Sequence, residues 1–253
     1  MHVQWPGFLN TWVIRQFAKV YEINLEEAEY PPEHYKSLGD FFVRKLKPGL
    51  RPVGSSWAVH PADSEITQAS QIKEGNLIQA KDKVYNLKSF TRDDEAMKKY
   101  ADGQFLTYYL CPTDYHRVHS PVDGEIVLVR HIPGALWPVN SWSTENIQEL
   151  FSINERVFVE IKTSRGLVGV MFVGATNVGQ IELTFDSGIR GNQLLGDGIQ
   201  EKKYSGINIK KGDELGMFRM GSTVVMLYGK STLAQPVNSW QGRKVKVNSD
   251  FSN

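Results

Sequence analysis

From about Pro52 onward the chain is a succession of short apolar runs rich in β-branched and aromatic residues, each closed by Gly, Asp, Asn or Pro. No other feature limits the fold as strongly. Runs of this length are strands, and strands at this spacing build sandwiches or barrels rather than helix-covered parallel sheets. The clearest lie at 105–111, 125–132, 156–162, 167–173, 180–185, 214–220 and 223–228. Two helical interruptions are expected, one over 92–101 with Thr91 as its N-cap and one over 145–151. The first 50 residues read differently. Leu9, Trp12, Val13, Phe17 and Val20 recur at helical spacing, with Arg15 and Lys19 between them. Pro31 and Pro32 then open a second helix striped by Tyr35, Leu38, Phe41, Phe42 and Leu46 and ended by Pro48-Gly49. The expected fold is therefore α+β, mainly β: a helical segment over 1–50 and a β-sandwich or barrel-like body over 51–253.

The chain's 253 residues can bury a core without disulfides or a structural metal. Its single cysteine, Cys111, excludes an internal disulfide. The six histidines have no CxxC or HExxH company, so no metal is expected. A net charge of +1 argues against nucleic acid as a partner. The first residues lack the basic and apolar regions of a signal peptide, and no run approaches the roughly 18 apolar residues of a membrane span. Membrane contact, if any, is expected to be peripheral. Trp12 and Phe17 beside Arg15 and Lys19 suit an interfacial helix, although a stripe packed on the body reads alike.

Chemistry is concentrated in a few places. Met220-Gly221-Ser222-Thr223 interrupts two apolar runs. A Gly-Ser pair there is either a bulge with a local hydrogen bond or a site of self-cleavage, in which the serine hydroxyl attacks the glycine carbonyl. Glycine suits the second reading because it tolerates strained backbone. A serine needs a base, and His116 and His119 in Cys111-Pro-Thr-Asp-Tyr-His-Arg-Val-His-Ser-Pro121 are the best candidates. A strand would put them on opposite faces. The flanking Pro112 and Pro121, with Thr113 or Asp114 as a cap, favour a helical turn that puts both on one side. Asp63, after His60-Pro61-Ala62, could orient the base or simply form an Asx-turn.

Together these fragments resemble bacterial-type phosphatidylserine decarboxylases over nearly the whole chain. The resemblance begins at Leu38-Gly-Asp-Phe-Phe-Val-Arg-Lys-Leu46 and Arg51-Pro52. It continues through His60-Pro-Ala-Asp63, Leu77-Ile-Gln-Ala-Lys81 and Asp114-Tyr-His-Arg-Val-His119. It then takes in Pro133-Gly134, Pro138-Val-Asn140, Asn154-Glu-Arg156 and Val173-Gly-Ala-Thr-Asn-Val-Gly179, and ends at Met220-Gly-Ser-Thr223, where the family has Leu-Gly-Ser-Thr.

The resemblance implies that Gly221-Ser222 is the cleaved bond and that Ser222 becomes a covalent pyruvoyl cofactor. Asp63 and His119 then match the acid and base of cleavage, and His116 matches the histidine of decarboxylation. It further implies two associated chains, 1–221 and 222–253, and phosphatidylserine in the bilayer as substrate. The substrate would be held as a Schiff base and released as phosphatidylethanolamine, at the cytoplasmic face of the cell membrane. Assembly with further copies of the chain is compatible with this.

Two departures stand out: Met220 for leucine, and Ser64 where the family usually has glycine after the triad aspartate. Ser64 leans towards the alternative, an uncleaved phospholipid-binding protein without activity. The turn Lys211-Gly-Asp-Glu-Leu-Gly216 is similar to turns of lipoyl and biotinyl carriers, a likeness of fold only.

Overall fold

The computed structural model describes residues 7–80, 83–176, 180–189, 191, 198–219 and 222–251, with the backbone alone at Ser222. Strands β1 (Ser64–Gln71), β2 (Asn76–Ala80), β3 (Lys83–Asn86), β4 (Gln104–Leu110) and β5 (Arg117–His119) come first. They are followed by β6 (Gly124–Ile132), β7 (Arg156–Thr163), β8 (Gly166–Val173) and β9 (Ile181–Leu183). The last are β10 (Gln200–Ile209), β11 (Glu214–Phe218), β12 (Ser222–Tyr228) and β13 (Lys244–Val245). Eight of these make one open antiparallel sheet in the order β10-β6-β7-β8-β12-β4-β1-β13. A second sheet, β5-β11-β9, and the β2-β3 hairpin complete the set. The mainly β expectation holds, and the large sheet stays open rather than closing into a barrel.

Position in the sheet explains sequence pattern. β12 lies between β8 and β4, and its residues Val224 to Tyr228 are wholly buried. It therefore reads as a continuous apolar run rather than an alternating one. β10 is an edge strand with exposed Lys202 and Lys203, a bulge between Lys203 and Ile207, and left-handed Gly206, the usual devices against edge-to-edge pairing.

The helices are shorter than expected, for reasons that sequence periodicity does not carry. α1 (Gly7–Val20) forms as expected. Pro31 and Pro32 open only a 3-10 turn, and α2 (Leu38–Phe42) starts separately, with Ser37 Oγ accepting from the Asp40 N–H. Thr91 ends α3 (Leu87–Thr91) instead of capping a following helix, its hydroxyl donating to the Leu87 carbonyl. Arg92 then turns left-handed at φ 52°, and α4 is confined to Ala96–Tyr100. Buried Arg156 donates to the Ser89 and Phe90 carbonyls and Arg130 to that of Thr91, satisfying the end of α3. The expected 145–151 helix is split by left-handed Glu149 into α5 (Ser141–Asn146), capped by Asn140, and α6 (Leu150–Ile153).

The N-terminal segment has a small core of its own. Ile14, Ala18, Ile23, Tyr35 and Phe41 cluster with Phe17, Leu25 and Leu38. Inward packing of α1 thus uses Ile14 and Ala18, while Phe8 (81% exposed) and Trp12 (58% exposed) point to solvent. No helix among the described residues is long and apolar enough to cross a membrane.

Candidate active site

Ser222 is the first residue of β12, at one of several points where the chain crosses between the two sheets. β11, immediately before it, belongs to the three-stranded sheet, and β12 to the large one. Met220 and Gly221 lie outside the described residues. A second connection makes the same crossing beside the first. Leu110 at the end of β4 pairs with Ser222, and Arg117 at the start of β5 pairs with Met217 of β11. The Cys111–His116 stretch therefore spans the gap next to the 221/222 junction. The Phe218 N–H donates to the His116 carbonyl at 3.0 Å, four positions ahead of Ser222.

That stretch is a turn followed by a strand, not the expected helical turn. Asp114 reaches back to the Cys111 N–H (2.8 Å) while its own N–H donates to the Cys111 carbonyl (2.9 Å), closing the turn early. Pairing of Arg117–His119 with β11 then extends the chain. The two imidazoles consequently meet different surroundings.

His116 is fully buried, its ring 4.0 Å from that of Phe42. Its Nδ1 donates to the Asp114 carbonyl at 2.8 Å, and its Nε2 has no partner among the described residues. Burial pushes its pKa down to about 3 against the pull of the Asp114 carbonyl, with Arg44 adding to the depression, so the ring is neutral with a free lone pair on Nε2.

His119 is half-buried. Its Nδ1 donates to the Gly212 carbonyl at 2.7 Å, which leaves Nε2 as the basic nitrogen, 3.1 Å from the Tyr115 hydroxyl. Burial and then Glu214 raise the Tyr115 pKa, keeping that hydroxyl protonated and donating. The group orienting this ring is therefore a backbone carbonyl. It belongs to the turn likened above to carrier domains, and glycine is needed there. Gly212 has φ +90°, and a Cβ would stand 2.5 Å from Val53 Cγ2.

Asp63 is buried beside these groups without bonding either histidine among the described residues. Only the backbone joins them, through His119 N–H to the Pro61 carbonyl at 2.8 Å. Its carboxylate accepts from Arg51 Nη2 (2.7 Å), Lys246 Nζ (3.0 Å) and the Val247 N–H (2.8 Å). Burial alone would raise its pKa. Arg51, Lys246 and the Val247 N–H outweigh burial and hold it below the ordinary carboxylate range. Ser64 starts β1 without a positive φ, so glycine is not required at that position. Residue-type patterns gave no access to Tyr115, the Gly212 carbonyl or Lys246. Arg51 stood in a quoted motif without a role.

Two buried histidines set an acid limit on the fold. His60, with Nδ1 3.1 Å from the Tyr108 hydroxyl, is also pushed down to about 3 by burial. In the unfolded chain both titrate near the ordinary ~6.5. Below that pH the unfolded state takes up protons that the native state refuses, so stability falls with pH by about 1.4 kcal/mol per unit for each ring until ~3. Urea midpoints should drop steadily between pH 7 and pH 4.5. A midpoint constant over that interval would mean that both rings ionise inside the fold.

A family model described as phosphatidylserine decarboxylase matches residues 38–252. The phosphatidylserine decarboxylase proenzyme of Vibrio parahaemolyticus is 38% identical, over 97% of this chain and 89% of its own length. The proteins of that name from Myxococcus xanthus and Coxiella burnetii are each 40% identical. They cover 88% and 90% of this chain and 80% and 82% of their own lengths.

Proposed function

The chain is an enzyme that belongs to the phosphatidylserine decarboxylase family, and on that footing we propose that it cleaves itself between Gly221 and Ser222. Ser222 thereby becomes a pyruvoyl group, and the processed enzyme converts phosphatidylserine to phosphatidylethanolamine. The observation that carries this reading is the place of Ser222, at a sheet-to-sheet crossing flanked by the His116 turn.

In cleavage, the Ser222 hydroxyl attacks the Gly221 carbonyl carbon while His119 Nε2 takes its proton. The peptide C–N bond breaks as the ester C–O bond forms. Loss of the Ser222 Cα proton then expels the Gly221 carboxylate from Cβ. Water converts the resulting dehydroalanine end to a ketone, with ammonia leaving. Asp63 contributes fixed negative charge close to Tyr115 and His116. The products, 1–221 and 222–253, stay associated because β12 is bonded on both sides, to β4 and β8, both in the larger chain.

The pyruvoyl group supplies an electrophilic carbonyl for the substrate amine and a sink for the electron pair left behind by carbon dioxide. The orphaned, buried Nε2 of His116 fits a site built around such a group. This nitrogen is unprotonated at rest, so it first acts as a base towards the substrate ammonium. It then returns that proton to the substrate carbon after carbon dioxide has left.

The substrate lies in a bilayer, and this reading sets the enzyme peripherally on the cytoplasmic side of the cell membrane. Phe8 and Trp12, exposed on α1 near Arg15 and Lys19, are the side chains suited to the headgroup zone. Replacing both with serine leaves the inward face of Ile14 and Ala18 intact. Flotation with anionic liposomes should weaken at least about tenfold, given roughly 1.5–3 kcal/mol per large apolar side chain buried. Unchanged flotation would remove α1 from the membrane contact. The function as a whole is tested by the intact mass of the freshly purified chain, together with phosphatidylethanolamine formed from phosphatidylserine vesicles.

A further inference from the structure

The connection between β6 and β7 (133–155) lies at the end of the large sheet where Ser222 stands. Ile132 pairs with Arg156, Arg156 with Val173, and Val173 with Thr223, so the connection leaves and re-enters the sheet along that row. Asn154, fully buried, ties it down. Its Nδ2 donates to the carbonyls of Trp137 and Gly174, both at 2.9 Å, and its Oδ1 accepts from the Trp137 N–H at 3.1 Å. Gly174 directly follows β8, the strand next to β12. α5 also borders β12, across a cavity of about 170 Å³ walled by Ser141 and Thr144 and by Tyr109 and Thr223. Asn140 caps this helix, accepting from the Ser143 N–H at 2.9 Å. From these bonded segments two tryptophans face outward, Trp137 (49% exposed) and Trp142 (67% exposed). Exposed Ile153 adjoins the first, its carbonyl accepting from the Ala135 N–H at 2.8 Å. Large exposed rings held in place this way suit a partner that takes both an apolar face and an indole N–H.

We propose that the β6–β7 connection is a second bilayer contact, with Trp137 and Trp142 entering the headgroup zone at the rim of the site, an assignment that rests on the decarboxylase reading above. Position selects the bilayer as the occupant. The substrate keeps its acyl chains in the bilayer while its amine meets residue 222, so the membrane lies off this end of the large sheet. The N-terminal segment, whose α1 carries Phe8 and Trp12, borders the same site. Its Phe42 ring lies 4.0 Å from that of His116, and its Asp40 is 3.8 Å from Arg219, three positions ahead of Ser222. The contact assigned to α1 thus continues past the reacting position. Chemistry sets the kind of contact. Residues 133–155 contain no lysine or arginine and three glutamates, Glu145, Glu149 and Glu155. Attraction to anionic lipid therefore does not hold this element. Ring burial at the interface does, and it needs no lipid charge.

The test uses the full-length chain carrying Ser222→Ala and phosphatidylcholine vesicles at high salt, so that neither turnover nor lipid charge contributes. Trp137→Ser/Trp142→Ser should lower vesicle partitioning at least about tenfold, and Trp137→Phe/Trp142→Phe should recover most of it. Equal partitioning of the serine variant and its parent overturns the proposal. So does a serine variant that partitions as before but sediments as a smaller assembly, which would make this face a contact between copies. If the serine variant does not fold, brominated phosphatidylcholine decides. It should still quench tryptophan emission in the Trp5→Phe/Trp12→Phe chain, and unchanged emission overturns the proposal. In the processable chain, the serine variant should raise KM for phosphatidylserine vesicles by a similar factor with kcat kept. Turnover of a water-soluble short-chain phosphatidylserine should be unchanged. An equal loss with that substrate would put the tryptophans in the substrate pocket and overturn the bilayer assignment. Tryptophan-dependent partitioning in a chain that forms no phosphatidylethanolamine would sustain the contact and break the decarboxylase reading.

Discussion

Ser222→Ala is expected to purify as one intact chain of 253 residues and to form no phosphatidylethanolamine, whereas the unaltered chain yields two fragments divided at 221/222. The effect is expected to be all-or-none because, in the proposed cleavage, the hydroxyl is both the attacking atom and the source of the cofactor. The fragment 222–253 should be lighter by one ammonia than its serine-ended form. Under native conditions the two fragments should travel together, since the short one contributes β12 to the middle of the large sheet and β13 to its edge. Reduction of the ketone with borohydride should abolish activity without separating them. A single uncleaved chain in the wild type would return the protein to the lipid-binding reading. Cleavage that persists in Ser222→Ala would put the attacking group elsewhere.

Asp63→Ala should be the most destabilising change at the site. Removing this carboxylate leaves Arg51, only 12% exposed in its side chain, with Glu27 at 2.9 Å in place of two acidic partners, and leaves the Val247 N–H without an acceptor. Breaking a buried pair costs about 3–5 kcal/mol where the remaining charge is left uncompensated, and Glu27 places this change towards the lower end of that range. At about 2–4 °C per kcal/mol for a chain of this size, the melting temperature should fall by about 6–12 °C. His119→Ala, at a half-buried ring with two hydrogen bonds, should melt close to the wild type and yet fail to cleave. Because Lys246 and Val247 belong to 222–253, Asp63 would also clamp the two proposed products together, and Asp63→Ala should loosen them once formed.

The pH sign follows from the depressed pKa of Asp63. Its stabilisation is complete above the ordinary ~3.9 of an unfolded aspartate and is lost as pH falls through the lower native value. Measured at pH 7, Asp63→Asn therefore reports the whole charge effect while conserving shape. An Asp63→Asn chain that melts lower but cleaves at the wild-type rate would confine Asp63 to structure.

Strand positions were legible because burial imposes its pattern on neighbouring residues. The run 223–228 is apolar at nearly every position, as a strand covered on both faces must be, and β8 reads the same way. The break at Gly221-Ser222 was visible as a discontinuity between two such runs. The helix lengths were not legible. Arg92 and Glu149 end or divide helices by turning left-handed, and neither residue type announces that conformation. The histidine run was misread for a similar reason. Pro112 and Asp114 serve a helix start and a tight turn equally well, and pairing with β11 decided between them.

The sequence by itself determined the strand-rich body, the presence of α1 and, through resemblance, the family to which the chain belongs. Only the tertiary structure decided what the residues of the site touch. The Gly212 carbonyl that fixes His119 lies 93 positions away, the Thr113 carbonyl that holds Arg44 lies 69 away, and the Val247 N–H bound by Asp63 lies 184 away. Periodicity records the face that a residue buries, which its near neighbours in the chain settle. Contacts across such separations depend on the order of strands in the sheet, which is set by the packing of the whole chain at once.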